Sequence, residues 1–272
     1  MEIWKAIVLG VVQGLTEFLP VSSSGHLVLG KHLLGLTETG IEFEVFVHFG
    51  TLLAVFTAFR KDIKDLALVF LRLFTPAFYK DGVRSRYRND VSLRMLVFIF
   101  IGSIPAAIAG LTLESEIESI FSSPRFASGM LLVTAFILAL TYFVKRTDNQ
   151  LKLNNTFIMG LAQALAILPG ISRSGSTIGT GLLLKVEKSE TARFSFLLAI
   201  PAILGATLLK TFDLAQAGIS SQQMLELGIG LIAAYISGFL AIETLLAVVR
   251  RGKLYLFAPY CLIIGLLGLI LL

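Results

Sequence analysis

The chain has 272 residues, of which 56% are hydrophobic and only 15% are charged, and its mean hydropathy is +0.84. So few charged groups cannot cover the surface of a soluble globular domain of this size, which excludes that class. The formal net charge of +5 fits basic loops at a membrane surface better than nucleic-acid binding. The apolar runs are long and do not alternate with polar residues, which argues against a transmembrane β-barrel. The sequence therefore predicts an all-α polytopic membrane protein.

Six apolar stretches are long enough to cross a bilayer, because a membrane-spanning helix needs about 20 residues at ~1.5 Å per residue. They cover residues 43–60, 92–113, 126–144, 193–211, 225–249 and 254–272. Two other apolar regions, 3–35 and 154–185, are interrupted in the middle by polar stretches, and each half is too short to cross alone. Irregular backbone at membrane depth is tolerated only inside protein or beside a watery cavity. We therefore predict a re-entrant helical hairpin in each of these regions.

Basic residues concentrate in segments that would all lie on one side of the membrane if the six spans alternate. These segments are 60–88, 145–152, 185–193 and 250–253, whereas Glu114, Glu116, Glu118 and Asp213 mark the opposite side. Because basic loops stay in the cytoplasm, we expect the N-terminus, the first hairpin and the C-terminus outside a plasma (inner) membrane. Anionic lipid headgroups would then contact the basic side. No cleavable signal peptide is expected, since Glu2 stands where a basic region should be.

The two interrupted regions match each other when the chain is aligned with itself at an offset of 150. The matching pairs are Gly10/Gly160, Gln13/Gln163, Leu15/Leu165, Ser22/Ser172, Ser24/Ser174 and Gly25/Gly175. We therefore predict two repeats, 1–150 and 151–272, within one integrated domain, each with a hairpin and three spans. An odd number of crossings inverts the second repeat, so the two polar tips should meet near the midplane. Chance similarity between apolar segments rich in Gly and Ser is the alternative.

Both tips carry residue types that suit an anionic ligand. The candidates are Gln13, Glu17, Ser22, Ser23, Ser24, Gly25 and His26 in the first tip, and Ser172, Arg173, Ser174, Gly175 and Thr177 in the second. Each tip begins a helix, and free N–H groups at a helix start favour an anion. Arg173 adds a charged fork that matches phosphate oxygens. A charge at this depth needs an anionic partner, which Glu17 or a bound phosphate could supply.

Ser23 and His26 are three residues apart at a helix start and could act as nucleophile and general base. Glu17 could orient His26, hold a divalent cation, or do both. The alternative for His26 is a helix cap, and the alternative for the other serines is packing of small residues between membrane helices. Cys261 is the only cysteine, and we interpret it as a packed core residue.

The two motifs resemble those of the undecaprenyl-diphosphate phosphatase family of the bacitracin-resistance type. The stretch GVVQGLTEFLPVSSSGH, residues 10–26, is similar to the first family motif, and PGISRSGST, residues 169–177, is similar to the second. FEVFVHFG at 43–50 and FSFLLAIPA at 194–202 extend the similarity over nearly the whole chain. Two positions depart from the family pattern, since Gln13 stands where many relatives carry Glu and His48 stands where Gln is expected.

The resemblance implies a membrane hydrolase that converts undecaprenyl diphosphate to the monophosphate and inorganic phosphate. It also implies recycling of the lipid carrier for cell-wall peptidoglycan, bacitracin resistance, a homodimer and a site open to the extracytoplasmic side. A divalent cation, Mg²⁺ or Ca²⁺, is implied as the cofactor. Carried over residue by residue, the family pattern makes Ser23 the nucleophile, His26 its base and Arg173 the phosphate clamp. Glu17 would handle a metal or a proton, and Ser22 and Ser174 would line the pocket.

A transporter of a lipid phosphate or another anion is the rival hypothesis, because inverted repeats with broken helices are typical of transporters. An intramembrane serine protease fits less well, since Arg173 and the glycines suit phosphate better than a peptide carbonyl. Two questions stay open from the sequence. Gln13 leaves the proposed metal with one carboxylate ligand, and either Ser23 or a water activated by His26 could attack phosphorus.

Overall fold

The computed structural model describes residues 2–33, 41–79, 82–113, 123–214 and 221–271, and these residues form an all-helical protein. The twelve α-helices of the described residues are α1 (Ile3–Phe18), α2 (Ser23–Leu33), α3 (Ile41–Ala58), α4 (Arg60–Arg72), α5 (Val83–Asn89), α6 (Val91–Thr112), α7 (Pro124–Leu140), α8 (Leu153–Leu165), α9 (Arg173–Leu183), α10 (Lys188–Leu214), α11 (Ser221–Arg250) and α12 (Ala258–Leu271). Short 3-10 segments add Pro76–Tyr79, Thr141–Phe143 and Leu254–Phe257. The same part of the chain contains no β-strand.

Several helices are long and apolar enough to cross a membrane. Five segments meet this test alone, namely Val91–Thr112, Pro124–Phe143, Lys188–Leu208, Gln223–Arg250 and Leu254–Leu271. A sixth span is present if the bent pair Glu42–Ala58 and Arg60–Arg72 counts as one. The protein is therefore a multi-pass helical membrane protein, as predicted. The acidic residues Glu114, Glu116 and Glu118, on which the predicted sidedness partly rests, lie outside the described residues, as does the side chain of Asp213.

The basic stretch after the first predicted span is helical, whereas the sequence was interpreted as a long loop. Helix α4 turns by 87° from the axis of α3 and is followed by a 3-10 turn and α5. Its apolar residues recur every three or four positions, and Ile63, Leu66 and Val69 face the packed interior. This spacing places one apolar face on the protein and leaves the charged face exposed.

The two interrupted regions each form a pair of short helices joined by a polar turn. Helices α1 and α2 contact each other, and so do α8 and α9. Helix α1 packs along α11 of the other half of the chain, while α8 packs along α6. These two packings are equally close, because a Cβ on Gly10 or Gly160 would collide with the carbonyl of Gly230 or Gly102. The first hairpin helix of each half thus packs on a long helix of the other half.

A cluster of aromatic side chains lies directly beside the polar turns. The ring of Phe196 on α10 contacts those of Phe18 and Phe59, with centroids 5.8 and 5.3 Å away. Phe18 and Phe196 are almost fully buried. Burial of a large aromatic side chain contributes about 1.5–3 kcal/mol. This packing fixes the end of α1 and therefore the position of Glu17, the residue before Phe18.

Candidate active site

The two polar turns share the same capping hydrogen bond, although Ser22 has a φ of 70° and Ser172 a φ of −73°. In the first, the Ser22 hydroxyl accepts a hydrogen bond from the Gly25 backbone N–H at 3.3 Å, and in the second the Ser172 hydroxyl accepts one from Gly175 at 3.0 Å. Each capping serine also lies 3.3 Å from the hydroxyl of the serine two positions later, Ser24 or Ser174. A serine that caps a helix start satisfies one of its free N–H groups. Ser22 and Ser172 therefore have a structural role in shaping the turns.

The two turns contact each other. A Cβ on Gly25 would lie 3.2 Å from the Cα of Gly170, and a Cβ on Gly175 would lie 3.2 Å from the Cβ of Pro20. The Ser174 hydroxyl donates a hydrogen bond to the Leu19 carbonyl at 3.2 Å. Residues about 150 positions apart thus form one polar centre in the middle of an apolar protein.

Thr134 of α7 holds the second turn in place. Its hydroxyl donates to the Gly170 carbonyl at 2.8 Å and accepts from the Ser172 backbone N–H at 2.9 Å. Gly170 has a φ of 97°, a conformation that side chains with a Cβ disfavour. Thr134 is a single threonine in an apolar span and belongs to no motif, so its role could not be predicted from the sequence.

A buried carboxylate joins the two motifs. Glu17 Oε1 lies 2.5 Å from Nη2 of Arg173, while Glu17 Oε2 accepts hydrogen bonds from the Ser23 hydroxyl at 2.6 Å and the Gln13 amide at 3.1 Å. The side chains of Glu17 and Arg173 are only 8% and 15% exposed. Loss of one partner from such a buried pair typically costs about 3–5 kcal/mol, because the other charge is left without compensation. The Ser23 hydroxyl and the Arg173 guanidinium therefore both contact the Glu17 carboxylate.

His26 is near Ser23 in sequence, but its ring bonds elsewhere. Nδ1 lies 2.8 Å from the Ser22 carbonyl oxygen, and Nε2 lies 2.8 Å from the hydroxyl of Tyr260 on α12. The Ser23 hydroxyl donates to Glu17 instead. The role of His26 as the base for Ser23 stays a prediction, while this geometry gives Ser23 a different proton acceptor, Glu17. Sequence reasoning missed Tyr260, which lies in the last apolar segment without a recognisable motif.

Two other polar residues near the site have clear local partners. The Thr177 hydroxyl donates to the Arg173 carbonyl at 2.8 Å and lies 2.5 Å from the hydroxyl of Ser195 on α10. His48 Nδ1 donates to the Glu44 carbonyl at 2.7 Å within α3. The contacts of Thr177 attach the Arg173 helix to α10, and its role in substrate binding stays a prediction.

The oxygen atoms around Glu17 decide how well a divalent cation fits. Among the described residues, no three His, Cys, Asp or Glu side chains lie together as a metal cluster. Both Glu17 oxygens already accept hydrogen bonds, whereas Gln13 Oε1 is buried without a hydrogen-bond partner in the described structure. An amide oxygen is a suitable ligand for Mg²⁺ or Ca²⁺. A divalent ion held here would therefore have Gln13 Oε1 as a protein ligand and would take most of its other ligands from outside the protein.

The fold and this centre define a multi-pass helical membrane protein with a buried, charged centre between two polar turns. The family model described as bacitracin resistance protein BacA matches residues 6–267. The chain belongs to this family.

Curated relatives align along their full lengths. A protein from Salinibacter ruber is 46% identical over 275 residues, covering 100% of both chains. Relatives from Halothermothrix orenii and Desulforapulum autotrophicum are 42% and 41% identical, with at least 98% of each chain covered. All three are named undecaprenyl-diphosphatase.

Proposed function

We propose that this chain is an undecaprenyl-diphosphatase, which hydrolyses undecaprenyl diphosphate to undecaprenyl phosphate and inorganic phosphate. The observation that carries the proposal is the pair of bonds from Glu17 to Ser23 and to Arg173. These bonds bring together a hydroxyl, a carboxylate and a guanidinium, which would serve as nucleophile, proton acceptor and phosphate clamp. The names of the full-length relatives support the same substrate. In the cell this reaction would return the lipid carrier to cell-wall synthesis.

In the first step, Glu17 Oε2 accepts the proton of the Ser23 hydroxyl while Ser23 Oγ forms a bond to the terminal phosphorus. The anhydride P–O bond breaks, and undecaprenyl phosphate leaves with the electron pair. The starting geometry is suitable, because the 2.6 Å distance between Ser23 Oγ and Glu17 Oε2 is within the range for proton transfer to a general base. Arg173 stays charged and stabilises the oxygens of the phosphoryl group during transfer.

In the second step, water attacks the phosphoserine and the Ser23–phosphorus bond breaks. The water gives one proton to a base, and Ser23 Oγ takes back the proton held by Glu17. His26 is suited to be the base, because its Nδ1 faces a carbonyl and Nε2 therefore carries the lone pair. In the reaction, water would replace the Tyr260 hydroxyl that donates to Nε2 in this structure. Two bases with separate tasks would explain why His26 does not contact Ser23.

We also propose that a divalent cation enters with the substrate. Gln13 Oε1 would be its ligand from the protein, and Glu17 could contribute if its bond to Arg173 opens. The bound ion would neutralise charge on the diphosphate and orient it. The cation would take no part in the proton transfers, which involve only Ser23, Glu17, His26 and water.

Three further features are proposals at the level of the whole molecule. The exchanged packing of α1 on α11 and of α8 on α6 supports an inverted repeat whose short helices form re-entrant hairpins. The basic ends of the long helices support a cytoplasmic location for that side, and thus a substrate site open to the outside. The homodimer implied by the family resemblance remains a proposal without a structural argument.

Phosphate release from a C55 diphosphate by the purified protein in detergent tests the proposed function. We expect release by the wild-type protein, inhibition by EDTA, and loss of release in Ser23→Ala and Arg173→Ala. Ser103→Ala is the matched control, because within the described residues the Ser103 hydroxyl bonds the Ile99 carbonyl one turn earlier in its own helix. Full turnover by both site variants would contradict the assignment. Binding of the diphosphate without any release would favour the transporter instead.

A further inference from the structure

The last helix of the chain contributes a side chain to the proposed site. The phenol ring of Tyr260 stacks on the imidazole of His26, with centroids 5.6 Å apart and planes at 6°. Its hydroxyl oxygen lies 2.8 Å from His26 Nε2. Tyr260 lies in the first turn of α12, 234 residues from His26 and outside both motifs.

We propose that Tyr260 is a positioning residue for the hydrolysis, acting through His26, and this inference rests on the proposed function. The Tyr260 hydroxyl donates to His26 Nε2 in this structure and keeps the lone pair of the neutral ring on that nitrogen until a water takes the place of the phenol donor. The stacked phenol ring sets the orientation of the imidazole plane. Tyr260 itself forms no bond to the reacting atoms.

The hydrogen bonds determine the tautomer. A backbone carbonyl can only accept a hydrogen bond, so the contact to Ser22 requires a proton on His26 Nδ1. The lone pair of a neutral ring then lies on Nε2, and the Tyr260 hydroxyl is the donor that meets it. The tautomer of a histidine is commonly set by the bond that its other nitrogen makes. Here both nitrogens have a defined partner, which holds the ring on both sides.

Helix α12 is packed tightly just after Tyr260, which gives the hydroxyl a defined position. The neighbouring Cys261 is buried, and its Sγ lies 3.5 Å from the Pro20 carbonyl of the first turn. Farther along α12, a Cβ on Gly265 or Gly268 would collide with Ser128 of α7. The first polar turn and α12 are therefore packed together, which fixes the position of Tyr260 relative to His26.

A role in packing alone explains the Tyr260 ring but not the placement of its hydroxyl. The side chain is 43% exposed, so an apolar residue at this position would leave no cavity in the core. A phenol hydroxyl in an apolar environment requires a hydrogen-bond partner, and here the partner is the proposed base.

The test compares Tyr260→Phe, which removes only the hydroxyl, with Tyr255→Phe as the matched control. Tyr255 contacts the ring of Tyr142 edge-on and has no contact with His26 among the described interactions. We expect kcat for phosphate release to fall about 10- to 100-fold in Tyr260→Phe, the usual effect of losing a residue that orients a functional histidine. KM should change less than about threefold, since Tyr260 does not bind substrate. Tyr255→Phe should match the wild type.

A spectroscopic measurement separates positioning from a structural effect. Nitrogen NMR of protein labelled with ¹⁵N-histidine, at a pH of about 8 where a histidine of ordinary pKa is neutral, reports the tautomer of each ring. We expect the His26 signals of Tyr260→Phe to move toward a mixture of tautomers, while those of His48 stay unchanged and show an intact fold. An unchanged kcat or unchanged His26 signals would each overturn the inference. A wild-type protein that releases no phosphate would contradict the proposed function instead, and the NMR comparison would still test the control of the tautomer.

Discussion

Glu17 and Arg173 are separated by 156 residues in the chain and form an ion pair inside the protein, with Oε1 2.5 Å from Nη2. Glu17 lies in the last turn of α1, and Arg173 is the first residue of α9. The pair therefore connects the two halves of the chain at the point where the reaction is proposed to occur. Its removal should affect both stability and catalysis, but in ways that can be separated.

Glu17→Gln should reduce kcat at least about 100-fold, because a general base contributes roughly 10²–10⁴ to the rate. It should also destabilise the protein, since the Arg173 charge stays buried without its partner. The double variant Glu17→Gln/Arg173→Met should recover stability without recovering activity. Phosphate release and unfolding midpoints in detergent check the two effects. Additive losses of stability in the double variant would show that the pair is not coupled.

Arg173→Lys should retain most of the stability and lose most of the activity. Lysine keeps the positive charge for Glu17, but it lacks the planar fork that can bond Glu17 and a phosphoryl oxygen together. We expect kcat/KM to fall more than about tenfold, equivalent to roughly 1.4 kcal/mol of transition-state stabilisation. Arg250→Lys, an exposed residue at the end of α11, is the control. Equal kcat/KM values for Arg173→Lys and the wild type would exclude a role for the fork.

Gly170→Ala should destabilise the second turn. The φ of 97° is unfavourable for alanine, and its Cβ would overlap the Ala127 carbonyl of α7. Strained residues of this kind cost about 1–3 kcal/mol. Gly129→Ala is the control, because Gly129 lies on α7 near Ala127 and a Cβ there would meet open space. Alanine at position 129 should be neutral or stabilise the protein by up to about 1 kcal/mol. Unfolding midpoints measure both, and the same midpoint for the two variants would contradict the turn geometry.

Gln13→Glu should change the metal requirement. A second carboxylate beside Glu17 would bind a divalent cation more strongly, although without metal the two negative charges repel. We expect the Mg²⁺ concentration for half-maximal phosphate release to fall, and thermal stability to depend on Mg²⁺ more than in the wild type. Titrations of activity and of the unfolding temperature measure both effects. If neither changes with Mg²⁺, Gln13 is not close to the metal.

The long helices could be predicted from the sequence because an uninterrupted apolar run at membrane length has few alternatives. Helix α4 was missed because its apolar residues are spaced along a strongly basic segment, which the sequence analysis interpreted as a loop. The requirement of Arg173 for an anionic partner could be argued from the cost of a buried charge, and Glu17 provides that partner. The partners of His26 depend on how α12 packs on the first turn, and no local pattern around Tyr260 indicates this packing.

The most direct test of the proposed chemistry is the stereochemical course at the terminal phosphorus, followed with a substrate whose terminal phosphoryl group is made chiral by isotopes and sulfur. Attack by Ser23 and then by water consists of two in-line displacements, and the account predicts net retention of configuration. Inversion would mean a single direct attack by water, and would contradict the assignment of Ser23 as the nucleophile that Glu17 activates beside Arg173.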